Sequence, residues 1–179
     1  MMKLKVTNLQ IQMQKFDLIE NMSKTIKVAK NMIMLDLSWS QLQPQDLYEI
    51  SVALTTDTYA LRNLNLSYNK LQFQNDENKL VVNQKDVKYS EAFMENMITF
   101  MYEALFINHI NFSGMNFDFD KIMHLLKIIK KCNFIIAIHL NNNGLALNTN
   151  YFKQIMKLFN IKEADLVACG RSQQQEALG

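Results

Sequence analysis

Residues Leu61 to Leu71 read LRNLNLSYNKL. Leucines stand at 61, 64, 66 and 71 and an asparagine at 69, which gives the pattern L-x-x-L-x-L-x-x-N-x-L. Side chains alternate across a strand, so Leu64 and Leu66 share one face, with Leu61 entering the same core. Asn63, Asn65, Ser67 and Tyr68 are then expected to face outward. Asn69 falls where the chain must bend. A buried carboxamide has donors and an acceptor to offer the backbone groups that such a bend exposes.

The pattern recurs. An upstream copy is Met32, Leu35, Leu37, Ser40 and Leu42; downstream copies are Ile107, Ile110, Phe112, Met115, Phe117 and Ile135, Ile138, Leu140, Asn143, Leu145. A weaker copy opens the chain at Leu4, Val6 and Ile11. Leu35 and Leu64 are 29 positions apart, and Ile110 and Ile138 are 28 apart. Spacings of this length leave room for a helix after each strand. The pattern and its period resemble the leucine-rich repeats of the ribonuclease-inhibitor-like subclass, over roughly residues 3 to 160. That resemblance implies an α/β fold: a leucine-rich repeat solenoid forming a short horseshoe arc, with parallel strands on its concave face and helices on its convex face. The expected domain is 1–165, with about five repeats and an insertion at 72–88. Residues 166–179 are then a partial repeat or polar C-terminal tail.

Helical stripes lie between the copies. Phe16, Ile19, Met22 and Ile26 are spaced three or four apart, as are Leu47, Ile50 and Leu54. Pro44 suits a first helical turn, and Asp46 with Glu49 resembles a capping box. The regular spacing breaks between Leu64 and Ile110, which are 46 positions apart. The excess lies in Gln72 to Lys88, expected to be either a binding loop or a tolerated surface loop. Ser90 is a plausible cap for the next helix, with Phe93, Met97, Met101 and Leu105 on its inner face. Asp118 or Asp120 starts the following helix, carrying Ile122, Leu125, Leu126 and Ile129. A last helix, capped by Thr149 or Asn150, is expected to bury Phe152, Ile155, Met156 and Phe159. Loss of the bend asparagine at Met115 predicts that this turn is held differently. The chain begins almost in a strand and stops partway through a copy, which suggests a longer protein or a partner over its ends.

Composition excludes several classes. Of 179 residues 49% are hydrophobic and 20% charged, which argues against disorder. A net charge of +2, with lysine far outnumbering arginine, gives no strong pull toward nucleic acid or acidic membranes. Cys132 and Cys169 are too sparse for a disulfide framework and read as reduced thiols, with a cytoplasmic location expected. No apolar run reaches the ~18 residues of a membrane span. Phosphate-loop, H-E-x-x-H, C-x-x-C and G-x-S-x-G motifs are all missing from the sequence, so no catalytic residues, cofactor or metal are expected and the chain does not read as an enzyme. His109 and His139 fall on the strand surface, where ordinary surface histidines are favoured over metal ligands.

What remains is a surface. Equivalent positions in stacked strands form ladders: Asp36, Asn65, Asn111 and His139 between the paired apolar residues, then Ser38, Ser67, Ser113 and Asn141. The serine row is small and polar, which would let another chain approach closely. The next row contains Trp39, Tyr68, Gly114 and Asn142. Trp39 and Tyr68 read either as binding hot spots or as rings half-buried over the rim. These ladders, Asp36, Ser38, Trp39, Asn65, Ser67, Tyr68, Asn111, Ser113, His139 and Asn141, form the candidate protein-binding concave face. The resemblance implies a non-catalytic interaction scaffold or adaptor in a multi-subunit complex, in a cytoskeletal or ciliary setting such as the axoneme, with proteins as partners and no small-molecule substrate. The alternative is a small-GTPase regulator resembling the Ran GTPase activators, but those have a strongly acidic tail and this chain ends RSQQQEALG. A ribonuclease-inhibitor-like role is disfavoured by the scarcity of cysteine.

Overall fold

The computed structural model describes residues 2–5, 23–27, 29, 31–57, 60–69, 71, 84–132, 134–143 and 149–161. The chain divides into two parts, Met1–Leu145 and Ala146–Gly179, considered separately. In the first part the order is β1 (Met2–Lys5), α1 (residues 23–27), β2 (Met32–Asp36), α2 (Pro44–Asp57), β3 (Asn63–Asn65), α3 (Gln84–Glu103), β4 (His109–Asn111), α4 (Phe119–Ile129) and β5 (Ala137–His139). The fold is α/β. Its five strands lie in chain order, and every neighbouring pair is parallel.

The strand register follows the apolar pattern. Leu4 pairs with Leu35, Leu35 with Leu64, Leu64 with Ile110, and Ile110 with Ile138. Parallel strands need a crossover of a dozen or more residues, and the spacing near 28 supplies a helix for that purpose. One face of the sheet is sealed by the helices. Leu35, Leu37, Leu64, Leu66, Ile110 and Phe112 are buried, as are Leu47, Ile50 and Leu54 of α2 and Phe93, Met97 and Met101 of α3. The Phe93 ring meets Phe112 edge-on, with centroids 6.4 Å apart. Each such side chain contributes about 2 kcal/mol by leaving water. Helix α2 packs against α3, and α3 against α4. Ile138 and Leu140, expected in the core, are half-buried, because β5 forms an edge of the described sheet.

Helix starts depart from the sequence reading in instructive ways. Asp46 is not the cap of α2. Its carboxylate accepts from the Gln43 backbone N–H at 2.8 Å, so Gln43 is the cap and Asp46 the acid reaching back, with Pro44 opening the helix. Ser90 lies inside α3, which begins at Gln84, so residues 84–88 of the expected insertion are helical. The Ser90 hydroxyl instead donates to the Leu71 carbonyl at 2.6 Å and binds the helix to the third copy. Leu105 lies beyond the helix and is 57% exposed, so it is no part of the inner face. Asp118 caps α4, accepting from Lys121 N at 2.9 Å, while Ile128 is buried where Ile129 was expected. Phe16, Ile19 and Met22 lie outside the described residues, as do residues 72–83; Ile26 is fully buried.

In the second part, α5 (Thr149–Phe159) forms where the spacing predicts, with Thr149 and Asn150, the expected caps, already inside the helix. Ile155, Met156 and Phe159 are half-buried and not fully buried; the side chain of Phe152 and residues 162–179 lie outside the described set. Among the described residues, no helix is long and apolar enough to cross a membrane.

Candidate functional site

Strands β2, β3 and β4 end in the same turn, written in the sequence as an Asp or Asn, an apolar residue and a serine. Asp36 Oδ1 accepts from Ser38 N at 3.0 Å and Ser38 Oγ at 2.7 Å. Asn65 Oδ1 does the same with Ser67 N and Oγ, at 3.1 and 2.7 Å. Asn111 Oδ1 accepts from Ser113 N at 3.0 Å. These are Asx turns, in which a side-chain oxygen replaces a backbone acceptor. His139 holds this position in β5 and brings no carboxamide, and Asn141 there is exposed.

The serines therefore lie inside the turns. Ser38, Ser67 and Ser113 are buried, and the hydroxyls of Ser38 and Ser67 are bonded inside the turn. Asp36, Asn65, Asn111 and His139 are half-buried on the open face of the sheet. The residue that the turn presents is the next one. Trp39, Tyr68, Gly114 and Asn142 all take positive φ, at 58°, 59°, 66° and 56°. Left-handed backbone costs a non-glycine residue roughly 1–2 kcal/mol, and bulky side chains rarely adopt it. Strand pairing continues through the turns and fixes it: Trp39 N donates to Ser67 O, Tyr68 N to Ser113 O and Gly114 N to Asn141 O, at 3.0, 2.7 and 2.8 Å.

The four residues form a continuous row. The Trp39 indole stacks on the Tyr68 ring with centroids 3.9 Å apart and planes 12° from parallel. A Cβ at Gly114 would lie 2.6 Å from Tyr68 Cδ1, so the ring occupies the space that a side chain there would need. Asn142 Nδ2 donates to the Tyr68 hydroxyl at 3.0 Å. Tyr68 is thus held along the row by three neighbours and is half-buried, while Trp39 remains 58% exposed. The two readings left open by the sequence divide between the rings: Tyr68 is packed and Trp39 is presented. The signal for Gly114 and Asn142 was their shared register with Trp39, but spacing alone does not show that a ring lies over the glycine.

Beneath the turns lie the bend asparagines. Asn69 Oδ1 accepts from Leu42 N at 3.0 Å, and Nδ2 donates to the carbonyls of Leu37 and Leu66, both at 2.9 Å. Asn143 Oδ1 accepts from Met115 N and Phe117 N at 2.9 and 3.1 Å, and Nδ2 donates to Phe112 O and Leu140 O at 2.8 and 2.9 Å. Each amide thereby binds its own copy to the preceding one. At Met115 the side chain brings no such groups, and Leu71 N turns to the Met115 carbonyl at 3.3 Å.

On the open face His109 and His139 stack with centroids 4.8 Å apart. Among the described residues no three His, Cys, Asp or Glu side chains gather as a metal site. Cys132 is half-buried, its Sγ 3.5 Å from the Met101 carbonyl, and burial raises its thiol above the ordinary range, which suppresses the nucleophilic thiolate.

No family model matches the chain, and no curated protein matches it. Among solved structures it is similar to one titled Leiomodin-1 Actin-Binding Site 2, with 10% sequence identity and a TM-score of 0.58, over 99% of this chain and 88% of that one. At that identity the likeness is one of fold.

Proposed function

We propose that the chain is a leucine-rich repeat solenoid of the ribonuclease-inhibitor-like subclass, serving as a non-catalytic scaffold that captures a protein partner within a cytoskeletal assembly. The observation that carries the reading is the Trp39–Tyr68 stack. A large indole is held more than half exposed on left-handed backbone, and its position is fixed by the ring beneath it. Strained backbone supporting a presented aromatic is typical of contact residues, because a preordered ring loses little entropy on binding. The parallel ladder of Leu35, Leu64, Ile110 and Ile138 supports the repeat assignment. The similar fold of an actin-binding site supports the cytoskeletal setting. The repeat resemblance adds axonemal complexes to the settings worth testing.

The test is co-sedimentation with actin filaments, alongside affinity capture from cytoskeletal extracts. The protein is compared with a Trp39→Ala, Tyr68→Ala double variant of confirmed fold. Loss of about tenfold in captured partner, some 1.4 kcal/mol, is the expected result. Identical capture by the two proteins would remove the aromatic row from the site.

A further inference from the structure

A second apolar surface lies at the other end of the strands, where helices return to the sheet. Tyr102, Leu105 and Phe106 precede β4 and are 50%, 57% and 55% exposed. Phe134 and Ile136 precede β5 and are 55% and 84% exposed. Strand pairing matches His109 with Ala137, so positions 28 apart are equivalent. Phe106 and Phe134 are therefore equivalent residues in successive copies. The backbone adjoins there too: the N–H groups of Ile136 and Ala137 both donate to Asn108 O, at 2.9 and 3.0 Å. Together the five side chains expose on the order of 600 Å² of largely apolar surface, at the upper end of the largest patches on a monomer and short of the ~800 Å² per partner of a standard interface.

The charges beside this surface are arranged in a way that identifies its occupant. Glu103, exposed, ends α3 in the fourth copy, and its equivalent in the fifth is Lys131, also exposed. The acid and the base thus stand side by side in the two copies, as Phe106 and Phe134 do three residues further along. A two-fold axis through the centre of this surface sets Phe106 against Phe134 of a second molecule and Glu103 against that molecule's Lys131, twice over. An isologous interface requires this self-complementarity.

We infer that this edge is the face of a symmetric homodimer, with a second copy of the chain as its occupant. The inference goes beyond the proposed function, since it uses the opposite end of the strands from Trp39 and Tyr68. Sedimentation velocity of the full chain, from low to high micromolar concentration, provides the test. The expected result is a dimer that dissociates on dilution. Phe106→Ser with Phe134→Ser should leave a monomer whose thermal melt matches that of the parent chain at a dilution where the parent has dissociated, because exposed side chains contribute little to stability. Lys131→Glu alone should weaken association about tenfold, and Glu103→Lys combined with it should restore most of the loss. A monomer at every concentration overturns the inference, including the case where the phenylalanines capture a different protein. So does a dimer indifferent to the serine substitutions, or a charge exchange that fails to rescue.

Discussion

At Gly114 two separate demands fall on one residue: a φ of 66° and a tyrosine ring lying 2.6 Å from where a Cβ would sit. Gly114→Ala should therefore destabilise the chain by about 2 kcal/mol or more in urea unfolding, combining left-handed strain with the clash. Adding Tyr68→Ala removes the clash and leaves the backbone strain, so the alanine should cost only about 1 kcal/mol in that background. Equal costs in the two backgrounds would show that the ring does not press on residue 114. The row of register positions was legible in the sequence, because period alone brings Trp39, Tyr68, Gly114 and Asn142 together. Their conformation was not, since it depends on the Asx turns before them. A recurring Asp or Asn two residues ahead of a serine is the local signal, and outward-facing polarity hid it.

At the scale of elements, apolar period placed strands β2 to β5 and the buried stripe of α2 correctly. Asp118 caps α4 as one of the two residues expected, while the starts of α2 and α3 were misplaced. Asp46 looked like a cap, but Pro44 can open the helix and so moves the cap back to Gln43. Ser90 looked like a cap because the polar segment before it reads as loop. Charged residues such as Lys85 and Lys88 form helix as readily, and Ser90 serves the Leu71 carbonyl. The bend asparagines were the surest reading, since a buried carboxamide has few other uses. Asn69→Leu keeps the branched outline but strands the Leu42 N–H and the Leu37 carbonyl, and should cost roughly 3 kcal/mol by denaturant midpoint. A change below about 1 kcal/mol would mean that water replaces the amide.

For the whole sheet, protection should follow position in the stack. Strands β2, β3 and β4 have partners on both sides, and their flanking residues Leu37, Leu66, Tyr68 and Phe112 donate backbone hydrogen bonds to the next copy. Hydrogen exchange should be slowest at these amides and faster at β5, where Ala137, Ile138 and His139 are all half-buried. Uniform protection from β2 to β5 would argue against that gradient. The amides of Asn69 and Asn143 also divide the stack unevenly. One clasps the second copy to the third and the other the fourth to the fifth, while Met115 leaves the plane between β3 and β4 without a clasp. A pull along the stack would therefore meet two stapled pairs, and the seam between them would be carried by main-chain bonds and the Tyr68 ring in place of a staple.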